Sequence, residues 1–66
     1  MKEKICRTKE DYIGLMKTLE KYKFRWRCGQ NPTDKDVMEE IGFFPVKICF
    51  GYWGESSKVL TYSHSI

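Results

Sequence analysis

Between Thr8 and Tyr22 the apolar side chains of Tyr12, Leu15, Met16, Leu19 and Tyr22 recur at i, i+3, i+4 and i+7, the spacing that gives a helix one buried face. Gly14, Lys17, Thr18 and Lys21 fall on the opposite, wet face. The segment Thr8-Lys9-Glu10-Asp11 supplies a start signal. The Thr8 hydroxyl can accept from the third helical N–H while Asp11 reaches back, and Glu10 and Asp11 suit the positive end of the helix dipole. After Lys23 the apolar period drops to two. A helix that must bury its stripe, followed at once by strand-like alternation, restricts so short a chain to a helix laid on a sheet.

Alternation places Phe24, Trp26 and Cys28 on one side and Arg25 and Arg27 on the other, until Gly29 ends the run. Upstream, Glu3–Arg7 reads as a short first strand. Gln30-Asn31-Pro32 is turn chemistry, and Thr33-Asp34-Lys35-Asp36 can cap a short second helix. Val37, Met38 and Ile41 would form its apolar stripe, with Gly42 as its stop. Past Pro45, Val46, Ile48, Phe50 and Tyr52 alternate with Lys47, Cys49, Gly51 and Trp53. Gly54-Glu55-Ser56-Ser57 is then a hairpin turn and Lys58–Ser63 the returning strand. These segments predict an α+β fold in the order β-α-β-short α-β-β. Its sheet is small, antiparallel or mixed, with one main amphipathic helix on one face. No repeat, low-complexity stretch or linker interrupts residues 1–66, which read as a single compact domain.

Composition decides what such a domain can be. Hydrophobic residues make up 41% of the chain and ten of its 66 residues are aromatic, enough large apolar groups to repay chain entropy and argue against disorder. A core of this size rarely contributes more than ~3–5 kcal/mol, so staples or oligomerisation are common. The formal charge of +3 is mildly basic and far from that of a nucleic-acid tail. No apolar h-region follows the first charged residues, and no apolar run approaches a membrane span, so a soluble cytoplasmic protein is expected. Cys6, Cys28 and Cys49 are an odd number, spaced by 22 and 21 positions with no CxxC pair. They read as reduced, partly buried thiols, and a metal site joining them to His64 lacks the usual ligand pair in a tight turn.

The parts of an active site are missing. His64, the one histidine, stands near the C-terminus between Ser63 and Ser65, and sequence neighbours on a strand point to opposite faces. Glu10, Asp11, Asp34, Asp36, Glu39 and Glu40 sit where helix starts and solvated faces explain them, and the five glycines form no phosphate-cradling loop. Catalysis is therefore not expected, and neither a metal nor a cofactor is implied.

Binding has more support. With Trp26 inward, Arg25 and Arg27 lie side by side on the open sheet face, and alternation adds Lys47 and Trp53 to it. Tyr62 joins them if Leu60 is not needed inside. Guanidinium forks match phosphate geometry, and an aromatic ring gives a base a face to stack on, so Arg25, Arg27 and Lys47 with Trp26, Trp53 or Tyr62 would hold a small phosphorylated ligand. The same cations on a strand's wet side also serve as ordinary surface design against edge pairing. Phe43 and Phe44 in the Gly42–Pro45 connection cannot both enter one small core. One packs and the other shields, or they form a dimer contact that would let two such faces complete one pocket. Phe43, Phe44, Trp53 and Tyr52 would alternatively anchor a host protein, and the basic-aromatic face would alternatively meet nucleic acid.

Three features taken together resemble the small orphan proteins encoded by phages and prophages of Gram-positive bacteria. They are the Thr-capped helix from Thr8-Lys9-Glu10-Asp11-Tyr12, the aromatic-basic strand Phe24-Arg25-Trp26-Arg27-Cys28-Gly29, and the closing Leu60-Thr61-Tyr62-Ser63. Cys28 departs from the small residue expected there. The resemblance implies no assigned activity. It implies a stoichiometric accessory protein of the host bacterial cytoplasm, one that binds a host protein or sequesters a signalling nucleotide in counter-defence.

Overall fold

Helix α1, Lys9–Lys21, begins where Thr8 leaves extended backbone, and the Thr8 hydroxyl accepts from the Asp11 N–H at 3.2 Å. Tyr12, Met16 and Leu19 carry its buried face. Tyr22, expected on that stripe, is instead 57% exposed. The reason is the way the helix stops. Phe24 N–H donates to the Leu19 carbonyl and Lys23 N–H to the Glu20 carbonyl, both at 3.0 Å, which is the paired closure of a Schellman motif. Lys23 takes the left-handed position (φ 70°) that glycine usually fills, and the chain turns away before Tyr22 can reach the core.

The computed structural model describes residues 2–53 and 57–65, the side chains of residues 52, 53 and 57 excepted. Its other elements are β1 (Lys2–Cys6), β2 (Arg25–Trp26), α2 (Lys35–Ile41), β3 (Val46–Trp53) and β4 (Ser57–Ser63). One sheet has the order β1-β3-β4-β2. β3 is antiparallel to both β1 and β4, and β2 lies parallel to β4, so the sheet is mixed and the domain is α+β. The hairpin turn expected at Gly54–Ser57 falls largely on residues 54–56, outside the described residues. No described helix is long and apolar enough to cross a membrane.

Register decides the two faces of this sheet. Lys4 pairs with Ile48 and Tyr62 with Ile48, Cys6 with Val46, Leu60 with Phe50, and Trp26 with Leu60. Cys6, Val46, Ile48, Leu60 and Trp26 are buried with Tyr12, Met16 and Leu19 of α1 and Val37 and Ile41 of α2 in one cluster. Glu3, Ile5, Lys47, Cys49, Thr61, Val59 and Arg25 occupy the positions of the other face.

Two expected features shift. β2 ends after Trp26, because Gly29 (φ 93°) turns the chain back so that Trp26 N–H donates to the Gln30 carbonyl at 2.9 Å. Cys28 is therefore exposed in the turn, not inward beside Trp26. The cap of α2 is Asp34, whose carboxylate accepts from the Asp36 N–H at 2.8 Å. Thr33 instead donates to Glu20 at 2.9 Å, tying the start of α2 to the last turn of α1. The thiols lie apart: Cys6 buried on β1, Cys49 half-buried on the open face of β3, Cys28 in the turn after β2. No cluster of metal-ligating side chains forms among the described residues.

Two stability predictions follow from this packing. Lys23→Gly relieves a left-handed L-residue and raises stability by about 0.5–1 kcal/mol in urea unfolding. The Tyr12 hydroxyl is buried without a partner among the described residues, and burial first, with the nearby Cys6 and Asp34, pushes its pKa up to about 12. An unfolded tyrosine ionises near ~10. The stabilising contribution of neutral Tyr12 is thus complete below that pH and is lost as pH rises toward the folded value, by about 2–3 kcal/mol in all. Tyr12→Phe removes this alkaline loss and leaves neutral-pH stability unchanged or about 1 kcal/mol higher, read by fluorescence-monitored urea melts across the alkaline range.

Candidate ligand-binding site

A cavity of about 270 Å³ opens where the short β2, the middle of β4 and α2 meet. Trp26 brings one wall, Arg27 and Cys28 a second, Leu60 and Tyr62 a third, and Val37 and Glu40 the helix side. The pairing of Trp26 with Leu60 sets this arrangement. Arg27 N–H completes that pairing by donating to the Leu60 carbonyl at 3.2 Å, and the chain then turns, with Gly29 N–H donating to the Trp26 carbonyl at 2.7 Å, so that Arg27 leaves the strand's alternation and lines the cavity. The Trp26 indole is almost wholly buried, and its N–H donates to the Pro32 carbonyl at 3.4 Å. Only the margin of that ring is available to a ligand.

Tyr62 is half-buried and meets Trp26 edge to face, with centroids 6.1 Å apart. Its hydroxyl pKa is raised, first by partial burial and then by the charge and hydrogen bonding of Glu40. Glu40, which the sequence places on a solvated helix face, lines the cavity. It lies one helical turn beyond Val37, and that spacing is what brings it to the cavity with Val37. Aromatic contacts continue outward. His64 lies 6.0 Å from Tyr62 and stacks on Phe43 at 3.9 Å with rings 15° from parallel. The His64 Nε2 is also 3.2 Å from the Phe43 carbonyl oxygen. This bridge between the end of β4 and the α2–β3 connection has no local sequence signal.

The structure divides the residues expected to share one face. Arg27, Trp26 and Tyr62 meet at the cavity. Arg25 does not, because it pairs with Val59 and its guanidinium donates to Asn31 Oδ1. Lys47 lies on the open face in an ion pair with Glu3 at 3.2 Å. Tyr62 shares a face with buried Leu60 and is therefore opposite Lys47, since Leu60 is needed inside. The side chains of Trp53 and Tyr52 lie outside the described residues. Phe43 and Phe44 part company: Phe44 packs edge to face on Tyr12 at 5.8 Å, whereas Phe43 is 62% exposed. A second cavity of about 200 Å³ between α1 and the start of α2, floored by Tyr12, Met16 and Met38, contains none of these residues.

At the first cavity the chemistry is bipolar. Arg27 offers a planar donor fork suited to a phosphate or carboxylate, Tyr62 and the Trp26 margin offer ring surface, and Glu40 offers acceptor oxygens. Compared with known protein families, curated proteins and solved structures, the chain matches none. The division of the two phenylalanines is testable in urea unfolding. Phe44→Ala is expected to cost about 2 kcal/mol, and Phe43→Ala less than about 1 kcal/mol.

Proposed function

We propose that the protein is a non-catalytic binder of a small phosphorylated ligand, a nucleotide, held at the cavity between β2, β4 and α2. The observation that carries this reading is the meeting of Arg27, Trp26 and Tyr62 around one cavity. Arg27 would take the phosphate and Tyr62 would support the base. A cavity of about 270 Å³ is at the small end for ligand sites, so part of the ligand remains outside or meets a second copy of the chain. The resemblance to phage-encoded orphan proteins gives such a binder its context, sequestration of a signalling nucleotide in counter-defence within the bacterial cytoplasm.

A second reading has one observation of its own. Phe43, exposed and stacked on His64, is an aromatic anchor of the kind that protein interfaces favour, which suits an inhibitor of a host protein. Nucleic-acid binding across the open sheet face ranks behind both, because a formal charge of +3 is thin support for a polyanionic partner.

Calorimetric titration with the four ribonucleoside monophosphates tests the first reading. Arg27→Ala is expected to weaken binding by about 10-fold or more, the loss of a charge-assisted contact. Arg25→Ala and Lys47→Ala are expected to leave it within about 2-fold. Equal binding by Arg27→Ala and wild type would remove the assignment.

A further inference from the structure

A carboxylate in the wall of a cavity meant for a phosphate needs an explanation. Glu40 shares that wall with Arg27, and an ionised carboxylate only accepts hydrogen bonds. Left facing a phosphate, it would repel the ligand that Arg27 attracts. Tyr62 shares the cavity wall with Glu40, which helps to raise the pKa of its hydroxyl, and a carboxylate has about four lone-pair sites, so Glu40 can accept from more than one donor at once. The part of the ligand that meets Glu40 must therefore be an edge made of donors.

From this, and resting on the nucleotide reading above, we infer that the cavity selects guanine among the bases, with Glu40 accepting from the adjacent N1–H and N2–H groups. Guanine presents two neighbouring donors on its pairing edge. Adenine and cytosine each set one amino donor beside a ring-nitrogen acceptor, and uracil sets one N–H between two carbonyls. Any of these three turns an acceptor toward the carboxylate, leaving lone pairs opposed and a polar group unpaired in a half-enclosed site. Size agrees. The cleft of about 270 Å³ is open on one side, so a two-ring base can present its pairing edge to Glu40 without being enclosed. Tyr62 acts as a positioning residue through Glu40, and Arg27 remains the phosphate contact.

The experiment is calorimetric titration of the whole chain with GMP, IMP, AMP, CMP and UMP, repeated with Glu40→Gln and Tyr62→Phe. IMP keeps N1–H and lacks the 2-amino group. GMP is expected to bind tightest, IMP about 10-fold weaker, and the other three about 100-fold weaker. Glu40→Gln, at an exposed helix position, is expected to keep its thermal melt, lose about 10-fold in GMP affinity and bring GMP and AMP close together. Tyr62→Phe is expected to narrow the preference for GMP over AMP with less effect on AMP itself. Nucleotides that all bind within about 3-fold of one another, or a GMP preference that survives Glu40→Gln, overturn the guanine assignment and leave the phosphate site standing. No binding by any of the five overturns both.

Discussion

The register of Trp26 against Leu60 is the constraint on which the rest of the structure depends. β2 is only two residues long, and it holds the edge of the sheet through that parallel pairing. Trp26 enters the core with almost no exposed surface, and its indole N–H is satisfied by the Pro32 carbonyl, so its polar atom adds no burial penalty. Were β2 to slip by one residue, Trp26 would pass to the open face and Arg25 or Arg27 would be driven into the core, an exchange that a domain this small cannot sustain. The same pairing places the start of the turn that brings Arg27 to its cavity, because Arg27 N–H donates to the Leu60 carbonyl before the chain leaves the sheet.

Fixed points at both ends of α1 hold the helix over this sheet. Thr8 secures the start, and the paired closure through Lys23 and Phe24 secures the end. Lys58 of β4 adds a third, its ammonium donating to the Tyr22 carbonyl at 2.8 Å and lying 5.7 Å from the centre of the Phe24 ring. A cation on the carbonyls that end a helix is favourable for the dipole as well as for the hydrogen bond. These ties matter because the chain is short and no disulfide is present: its cysteines are free, and the core alone is modest.

What could be read from the sequence follows the range of each signal. The strand Val46–Trp53 is legible because eight alternating residues after a proline leave few other readings; of its inward set Val46, Ile48, Phe50 and Tyr52, the first two are fully buried, Phe50 is half-buried, and the Tyr52 side chain lies outside the described residues. The Thr8 cap was legible because its partner is three residues away. The end of β2 was not, since a short aromatic-basic run looks like a longer strand until Gly29 is known to be left-handed. The turn after α1 was hidden for the opposite reason, as Lys23 does what a glycine usually announces. A local period of two groups Arg25 with Arg27, yet β2 ends at Trp26 and Arg27 belongs to the turn closed by Gly29 N–H on the Trp26 carbonyl, so the two part company. Glu40 was missed because an acidic residue on a short helix is usually solvated, and only the position of α2 over the sheet edge gives it a cavity to line.

The candidate site is built from the least extensive elements, a two-residue strand, the turn that follows it and a seven-residue helix. That choice has a physical consequence. Trp26 and Leu60 serve core and cavity together, so replacing either changes folding and binding at once. Arg27 and Glu40 are exposed, and neither belongs to the buried cluster. The chemistry of the cavity is thus separable from the packing that forms it. The polar groups stand on a rim that tolerates substitution, over a floor that does not. A ligand bridging Arg27 and Glu40 would join the β2 turn to α2. Binding would then add its free energy to the part of the fold with the fewest elements of its own, because any ligand that prefers the folded chain stabilises it by mass action.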